Sequence, residues 1–379
     1  MDYYSRICFE VIEKWLFRRK TLVLIGARQV GKSTFLKDLL AKYSNVQFFN
    51  ADEQRIRDLF EDLSIPQLAE VVGDNKLIVI DEIQRIANPG LALKLLHDSF
   101  PELQVIATGS SALEIADRIF EPLTGRHLLF YLYPFTLQEI YPKKSALDVQ
   151  EKIPFHLVYG MYPEICNNHK DAKVLVTNLA NQYLYKDVLI WKDIRRPDLL
   201  DKLLKLLAYQ IGSEVSVHEL ALQLKVKSET VENYIDLLEK AFVIFRLHAF
   251  SNNPRKEVSK MTKIYFWDNG IRNAIIEDFS YTSNRRDIGA LWENFIISER
   301  MKNNAFLQRN VKSYFWRNYN QAEVDYIELV GDKISAVEIK WKPIRQPKIT
   351  KAFTNLYPDA KTHIIDGLNF LKFSQVKEE

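Results

Sequence analysis

The chain has 379 residues, with 52 lysines and arginines against 49 aspartates and glutamates, for a formal net charge of +3. Its 47% hydrophobic and 27% charged residues are ordinary for a folded globular protein, which excludes a disordered or low-complexity chain. At about 100–200 residues per domain, the length predicts two or three domains. Two cysteines and seven scattered histidines exclude a disulfide framework and a cysteine- or histidine-based metal centre.

The apolar runs of the chain predict no targeting or membrane segment. Met1–Lys20 is amphipathic and charged, and it lacks the apolar core of a signal peptide. The longest mostly apolar run, Leu128–Leu137, is interrupted by Pro134 and is far shorter than the ~20 residues that span a bilayer. We therefore expect a cytoplasmic protein without a membrane partner.

Positive charge is concentrated towards the C-terminus. Residues 241–379 contain 22 basic and 16 acidic residues, a balance of +6, which leaves −3 for the rest of the chain. A region of this kind permits a polyanionic partner without requiring one. DNA is therefore a candidate partner of the basic C-terminal region.

Short apolar runs alternate with helical patterns over the first ~140 residues, which predicts an α/β domain with a mostly parallel sheet. Residues 154–212 have a helical pattern without strand-like alternation, and a long helix is predicted for Gly289–Asn303. The five strands predicted for the first domain are Thr21–Ile25, Val46–Asn50, Leu77–Ile80, Gln104–Ala107 and His127–Tyr131.

A glycine-rich turn follows the first predicted strand. Gly26–Ser33 matches the pattern G-x-x-x-x-G-K-[ST] between an apolar strand and a helical segment, and an accidental turn is the alternative. Backbone N–H groups of such a loop surround a phosphate at a helix N-terminus, whose dipole favours anions. Lys32 would reach the β- and γ-phosphates, and Ser33 would bind Mg²⁺. The predicted nucleotide contacts are Gly26, Ala27, Arg28, Gln29, Val30, Gly31, Lys32, Ser33 and Thr34.

Two carboxylates end the apolar strand that begins at Leu77. Asp81 at the strand tip is predicted to bind the nucleotide's Mg²⁺, and Glu82 to polarise the attacking water. An acidic pair at a strand end is often only a solvated turn, but the phosphate loop upstream favours the catalytic interpretation. ATP and Mg²⁺ are the predicted cofactors.

Two further positions are candidates for a role at the phosphates. Ser110, with Thr108 as the reserve, follows the strand that begins at Gln104 and is predicted to orient the water or the γ-phosphate. The alternative is that these polar residues only form a turn. Arg126, just before the next strand, is predicted to stabilise transition-state charge at a neighbouring subunit, with a surface arginine as the alternative. Action in trans would require a homo-oligomer.

A helix-turn-helix pattern occupies the region after residue 211. Ser216–Leu224 predicts a first helix, and Ser228 is predicted to cap a second helix over Glu229–Ala241. The spacing favours a winged helix. The second helix carries four acidic residues against a single lysine, which is unfavourable beside DNA phosphates. We favour a structural or protein-docking role for this helix, with DNA contact as the alternative.

Glu323–Lys340 predicts a hairpin with a two-residue turn at Gly331-Asp332. The residue numbers of two cross-strand partners then add up to 663, which places Asp325 opposite Glu338. Lys340 lies on the same face of its strand as Glu338. Facing carboxylates repel unless a cation lies between them.

A divalent metal is therefore predicted at this hairpin, bound by Asp325, Glu338 and Glu293 of the preceding helix. Lys340 would position the attacking water or stabilise charge on the phosphate. This D…E-x-K arrangement resembles the restriction-endonuclease pattern, although E-x-K is also common on solvated strands.

Taken in order, these motifs resemble a large prokaryotic group of predicted ATPases, in which an AAA-type P-loop domain precedes a C-terminal part of unknown function. Two segments depart from the sequence that is usual in this group, Gly160-Met161 and Phe135–Glu139, and neither includes a predicted nucleotide contact. The matching segments are Gly26–Ser33, Asp81–Gln84, Thr108–Ser111, Leu123–Arg126, Tyr133–Phe135, Gly160–Pro163, Tyr185–Val188, Thr230–Glu239, Tyr265–Gly270, Gly289–Asn294 and Glu323–Lys340.

The resemblance implies four regions: an AAA-type ATPase domain over 1–150, a helical lid or linker over 151–210, a winged helix over 211–285, and a restriction-endonuclease-like α/β domain over 286–379. It also implies ATP hydrolysis, which would move the C-terminal domains on a macromolecular client, with DNA favoured. One alternative is an ATP-gated, metal-dependent DNA nuclease. The other is a nucleotide switch that controls protein assembly without hydrolysis.

Overall fold

A computed structural model describes residues 4–61, 63–110, 119, 121–189, 196–251, 262–343 and 348–374, and for residues 182–189 the backbone alone. Ser111 and the side chains of Tyr185–Val188, which contribute to the resemblance above, lie outside the described part. The chain forms two compact units. The N-terminal unit comprises Tyr3–Tyr133 and Lys240–Phe242, and the C-terminal unit comprises Met1–Asp2, Pro134–Glu239 and Val243–Glu379.

The N-terminal unit is built on a five-stranded parallel sheet of order β2-β3-β4-β1-β5. Its strands are β1 (Thr21–Gly26), β2 (Val46–Asn50), β3 (Leu77–Asp81), β4 (Gln104–Gly109) and β5 (His127–Leu132). All five predicted strands and the parallel arrangement are confirmed. The three central strands are buried along their whole length, as apolar strands of a covered parallel sheet should be.

Five helices accompany this sheet in the described part of the N-terminal unit. They are α1 (Cys8–Glu13), α2 (Lys32–Leu40), α3 (Gln54–Leu59), α4 (Ile65–Val72) and α5 (Pro89–Ser99). Because β3, β4 and β1 are parallel neighbours, the segments that leave their carboxyl ends meet at one edge of the sheet. This edge carries the phosphate loop, the acidic pair and the hydroxyl pair.

The C-terminal unit contains a six-stranded mixed sheet of order β11-β10-β9-β8-β6-β7. Its strands are β6 (Ile244–Ala249), β7 (Thr262–Phe266), β8 (Lys312–Arg317), β9 (Glu323–Val330), β10 (Lys333–Ile339) and β11 (Lys361–Ile365). The β6–β7, β8–β9 and β9–β10 pairs are antiparallel, whereas β6–β8 and β10–β11 are parallel.

This sheet crosses the predicted boundary at residue 285. The strands β6 and β7 precede that boundary, and β6 pairs with β8 through His248↔Tyr314 and Ala249↔Phe315. The N–H of Phe250 continues the pairing by donating to the Phe315 carbonyl at 2.6 Å. The pairing places β6 and β8 in the interior of the sheet, whose edge strands are β11 and β7. The four-region division remains a prediction, and one sheet joins its last two regions.

Helices supply the remainder of the described C-terminal unit, and none described in the chain is long and apolar enough to cross a membrane. The helix-turn-helix elements and the long helix are present, each within a few residues of the prediction. The helices are α6 (Leu137–Ile140), α7 (Ala146–Gln150), α8 (Ile153–Tyr159), α9 (Pro163–Asn167), α10 (Ala172–Leu189), α11 (Pro197–Tyr209), α12 (Val217–Leu224), α13 (Ser228–Lys240), α14 (Asn269–Ile275), α15 (Ile288–Phe306), α16 (Lys351–Leu356) and α17 (Phe370–Ser374).

Asp268 joins the segment around Gly160 to the start of α14. One carboxylate oxygen accepts the N–H of Ile271 at 3.1 Å and caps α14, and the other accepts the N–H of Met161 at 2.7 Å. Gly160 has φ +83°, and a Cβ there would lie 2.0 Å from an Asp268 oxygen. The predicted lid or linker is therefore packed into the C-terminal unit at this point, and only glycine permits the approach.

The segment that follows β5 is bound by the long helix α15. The buried carboxylate of Glu299 accepts the N–H of Leu137 at 2.7 Å, and Glu299 lies 3.5 Å from the ammonium of Lys302. Lys302 also approaches the carbonyl of Phe135 at 3.4 Å. These bonds explain why the compact N-terminal unit ends at Tyr133 rather than near residue 150.

Candidate functional site

The phosphate loop owes its shape to two glycines. Gly26 ends β1 opposite Leu132 of β5, and a Cβ on Gly26 would lie 2.1 Å from the Leu132 carbonyl oxygen. Gly31 has φ +93° and precedes the first residue of α2 without a side-chain cap. The first N–H groups of α2 are therefore directed into the loop, where an anion can accept them.

Lys32 projects back across this loop. Its ammonium donates to the carbonyls of Gly26 at 2.8 Å and Ala27 at 3.0 Å, and its side chain is buried. Of the other predicted contacts, Val30 is buried, Arg28 is half-buried, and Gln29, Ser33 and Thr34 are exposed. The loop thus presents a positive charge and helix N–H groups in one place.

Asp81 connects the loop to the end of β3. Its Oδ2 accepts a hydrogen bond from the Ser33 hydroxyl at 3.0 Å, and its Oδ1 accepts one from the Thr108 hydroxyl at the end of β4. Carboxylate and hydroxyl oxygens are the hard donors that Mg²⁺ prefers. The residues therefore fit a nucleotide-bound Mg²⁺, with Ser33 and Asp81 as the protein oxygens.

Glu82 lies beside this pair in a left-handed conformation, with φ +54° and ψ +44°. Such a conformation is strained for glutamate and is concentrated at functional sites. The amide of Gln84 donates both to the Glu82 carboxylate and to the Ser110 hydroxyl, the latter at 3.3 Å. Thr108 is therefore the hydroxyl bound to Asp81, whereas Ser110 is linked to Glu82 through Gln84.

Sequence reasoning missed Arg6. Its buried guanidinium donates to the carbonyl of Val30 in the phosphate loop and, at 3.1 Å, to the carbonyl of Tyr133 after β5. Arg6 precedes β1 and belongs to none of the motifs above, so no local signal could have indicated this contact. It steadies the loop from the side of the N-terminal segment.

Arg126 lies at the other end of the strands from the phosphate loop of its own chain. β1 and β5 pair from Thr21↔His127 to Gly26↔Leu132, so Arg126, one residue before this pairing, is about 20 Å from the loop edge at ~3.3 Å per residue. Its guanidinium donates to Asp98 at 2.8 Å, and its side chain is 37% exposed. The structure does not bring Arg126 to the site within one chain.

The C-terminal hairpin has the predicted register. Its pairs run from Lys333↔Val330 to Val337↔Tyr326, each summing to 663, and Gly331 has φ +57° in the turn. The next pair in this register is Asp325 and Glu338, and the Lys340 ammonium lies 2.6 Å from Glu338 and 3.7 Å from Asp325. The N–H of Ile339 donates to Asp325 at 2.7 Å.

Glu293 on α15 meets two donors from β7 that the sequence analysis did not identify. The Tyr265 hydroxyl donates to Glu293 Oε1 at 2.6 Å, and the Lys263 ammonium lies 3.3 Å from the same oxygen. Lys263 also forms an ion pair with Glu323, at the start of β9. We call Glu293, Glu323, Asp325 and Glu338 the acidic cluster. Lys263 and Tyr265 fall on one face of β7 because strand side chains alternate.

Burial and mutual repulsion shift the titration of the acidic cluster. Burial, followed by the charge of Asp325, raises the pKa of Glu293 to about 7. Burial also raises the pKa of Asp325, and burial together with the charge of Asp325 raises that of Glu338. Burial opposes the charge on Lys263, but the adjacent carboxylates outweigh it and raise the pKa of that ammonium.

The acidic cluster does not fit the predicted divalent metal. In the described part of the chain, no group of three or more histidine, cysteine, aspartate or glutamate side chains is placed to hold a metal ion. Ammonium groups of Lys263 and Lys340 instead lie against the carboxylates that were predicted as ligands. The nucleotide site differs, because a Mg²⁺ ion bound there with a nucleotide would take most of its ligands from phosphates and water.

The acidic face of α13 is bound by an arginine from β6. The guanidinium of Arg246 pairs with Glu232 at 2.6 Å, with Glu239 at 2.7 Å and with Asp236. Three of the four acidic residues that disfavour contact between this helix and DNA are thus paired with Arg246. This pairing supports a structural role for the helix. The sequence could not reveal the pairing, because Arg246 lies on a separate strand.

Comparison with known proteins agrees with the geometry of the first region. A family model described as "AAA domain" matches residues 18–141. The N-terminal region is thus similar to an AAA domain, and its five-stranded parallel sheet resembles that of a P-loop ATPase. Models described as "Domain of unknown function (DUF8612)" and "Domain of unknown function (DUF4143)" match residues 150–282 and 288–377.

Similar proteins extend the likeness over most of the chain. "Uncharacterized protein MJ1637" of Methanocaldococcus jannaschii is 26% identical over 334 residues, covering 75% of this chain and 70% of that protein. "Uncharacterized protein MJ1544" of the same organism is 24% identical over 382 residues, covering 94% and 82%. The solved structure of the Walker-type ATPase PABY2304 of Pyrococcus abyssi superposes with a TM-score of 0.49 at 18% identity, covering 73% of this chain and 96% of that chain.

The free energy of unfolding of the wild type is expected to fall as the pH rises. Glu293→Gln is expected to make this fall smaller. With a folded-state pKa of about 7, raised from 4.5, Glu293 binds its proton more tightly in the folded state than in the unfolded state. Its contribution therefore declines between about pH 4.5 and 7, by at most about 3 kcal/mol. Urea unfolding at pH 5 and pH 8, followed by tryptophan fluorescence, should show a smaller decline for the variant.

Glu328→Gln provides a control of opposite sign. Burial alone would raise the pKa of Glu328, but two hydrogen bonds from Arg300 outweigh it and lower that pKa. This carboxylate contributes stability above its unfolded-state pKa and loses it as the pH falls. The Gln variant should therefore be weakened most at neutral pH. Parallel pH profiles for Glu293→Gln and the wild type would contradict the assignment.

Proposed function

We propose that the N-terminal domain binds ATP with Mg²⁺ and hydrolyses it. The observation that carries this proposal is the hydrogen bond of 3.0 Å between Ser33 of the phosphate loop and Asp81 at the end of β3, with Lys32 in the same loop. A phosphate-binding loop and a metal-binding acid have to be adjacent for phosphoryl transfer. The match of residues 18–141 to an AAA domain supports the same activity.

Each residue at this edge has a distinct task in the proposed reaction. Lys32 and the first N–H groups of α2 bind the phosphates, and Ser33 and Asp81 hold the metal. Bound Mg²⁺ neutralises charge on the β- and γ-phosphates. Glu82 orients and polarises the attacking water, and Gln84 holds the Glu82 carboxylate in place.

Thr108 and Ser110 act as positioning residues in this proposal. The Thr108 hydroxyl donates to Asp81 and leaves the other carboxylate oxygen directed at Ser33. Ser110 supports the same Gln84 amide that holds Glu82. Both hydroxyls thus fix acids whose orientation the chemistry requires.

Lys32→Ala and Glu82→Gln test this proposal in a phosphate-release assay. Lys32→Ala should lose nucleotide binding and turnover, because it removes the ammonium from the phosphates. Glu82→Gln should retain binding of labelled ATP and lose about 10²-fold or more in turnover, because an amide cannot polarise water as a base does.

Lys42→Ala is the matched control, because it removes an exposed lysine that pairs with Glu13 on the same domain and should leave turnover unchanged. Normal turnover in Glu82→Gln would contradict the assigned base. A wild type that binds ATP but releases no phosphate would instead establish the nucleotide-switch alternative.

We further propose that Arg126 serves the nucleotide site of a neighbouring copy in a homo-oligomer. Its position at the sheet edge opposite its own phosphate loop supports action in trans, and its exposed side chain is accessible to a neighbour. An arginine that approaches the γ-phosphate stabilises the charge of the transition state.

A mixing experiment tests the role of Arg126. Arg126→Ala and Lys32→Ala should each be inactive alone, and a mixture should recover part of the wild-type turnover, because a hybrid site combines one intact loop with one intact arginine. Arg55→Ala, another exposed arginine of this domain, should remain active throughout. Full activity of Arg126→Ala alone would exclude the role.

We propose DNA as the client on which the C-terminal unit acts. The order helix, three strands, helix, strand from α15 to β11 supports the nuclease-like fold predicted from the D…E-x-K spacing. The +6 balance of residues 241–379 supports a polyanionic partner. The contact is not assigned to α13, because Arg246 binds most of its acids.

Binding to labelled duplex DNA across a salt series tests this client. The logarithm of the binding constant should fall linearly with the logarithm of the salt concentration, with a slope of about −0.9 per neutralised phosphate. The same slope should appear for Lys32→Ala, since the nucleotide loop does not contribute the contact. Absence of binding at low salt would remove DNA from the proposal.

A further inference from the structure

Lys263 occupies the position within the acidic cluster where a cation is required. Its side chain is only 2% exposed, and its ammonium contacts Glu293 on α15 at 3.3 Å and pairs with Glu323 on β9. The same ammonium lies 5.4 Å from the ring centre of Phe315 on β8. A lysine that enters from the edge strand β7 is thus enclosed by three other elements.

The charges of the cluster explain why this lysine is buried. Four carboxylates lie together, Asp325 buried and the other three half-buried, and without counter-charge their repulsion and desolvation would be unfavourable. Lys263 neutralises Glu293 and Glu323 from the inside, and Lys340, which is 36% exposed, neutralises Glu338 and Asp325 from the outer side. Arg317 adds a contact of 3.7 Å to Glu323.

Every carboxylate predicted as a metal ligand already accepts from a protein donor. Glu293 accepts from the Tyr265 hydroxyl at 2.6 Å, Asp325 accepts from the Ile339 N–H at 2.7 Å, and Glu338 lies 2.6 Å from the Lys340 ammonium. A divalent ion would compete with these donors, and it is repelled by the ammonium groups of Lys263 and Lys340 that lie among the carboxylates.

We propose that Lys263 is the resident cation of the acidic cluster, and that the wild-type C-terminal unit holds no divalent metal ion there. Lys263 is a positioning residue, which keeps the four carboxylates together without a metal. The C-terminal unit accordingly binds its client without metal-dependent cleavage of phosphodiester bonds. This inference is independent of ATP hydrolysis, because all residues of the cluster belong to the C-terminal unit.

Binding of Mn²⁺, measured by electron paramagnetic resonance on the full chain without nucleotide, tests this inference. All proteins carry Asp81→Asn, which removes the metal ligand of the nucleotide site. With Lys263 present, no Mn²⁺ should bind at the cluster. Lys263→Met should gain one bound Mn²⁺ per chain, and adding Asp325→Asn should abolish that gain.

Two further variants keep the outcome decisive. Lys263→Met with Glu323→Gln removes both members of the buried ion pair, so it should fold and bind Mn²⁺ even where the single variant fails to fold. Lys302→Met, which removes an equally buried lysine paired with Glu299, should gain no Mn²⁺.

The inference is overturned if the protein with Lys263 intact binds Mn²⁺ and loses it with Asp325→Asn. It is also overturned if folded chains that lack Lys263 take up no Mn²⁺, because the lysine would then not occupy a cation position. Because the Mn²⁺ experiment contains no nucleotide, both of its outcomes can be interpreted even if the protein shows no ATP turnover.

Discussion

A carboxylate that is buried on folding needs hydrogen-bond donors or cations around it, and this requirement shapes both units of the chain. Asp81 is held by two hydroxyls, and Asp268 by two backbone N–H groups. Glu299 accepts from the Leu137 N–H and lies beside Lys302. In each case the acid joins segments that are distant in sequence, because at least one donor comes from an element other than its own. Much of the polar architecture follows from satisfying these buried acids.

The kind of partner decides what a buried acid can still do. Asp81 receives neutral hydroxyl donors, so its negative charge remains available to a bound cation. Glu293 and its neighbours instead receive ammonium groups from Lys263 and Lys340, so most of their charge is already compensated. Two sites that look alike in sequence, each with acids at strand ends near a lysine, therefore differ in chemistry. In the functions proposed above, the first site binds a nucleotide with its metal, and the second is stable without a metal.

The features that the sequence predicts well are those fixed by short-range rules. The phosphate loop follows from residue spacing, the five parallel strands from apolar runs, and the 663 register from a two-residue turn with Gly331 at φ +57°. The partners supplied by distant strands were not predictable in this way. Lys263 reaches the cluster from β7, an edge strand of the second sheet, and Arg246 reaches α13 from β6. Such partners depend on strand order, which no local pattern encodes.

Polar residues in the shared motifs fall into two physical classes. Asp268 uses both carboxylate oxygens on backbone groups, because they accept from the Met161 and Ile271 N–H groups. Gly160 lies against Asp268 because no side chain fits beside that carboxylate. Ser33 and Asp81 instead bind each other's side chains at a strand edge, where a ligand can replace that bond. A motif carboxylate whose oxygens both accept from backbone N–H groups is architectural, whereas one that accepts from side-chain hydroxyls can exchange them for a ligand.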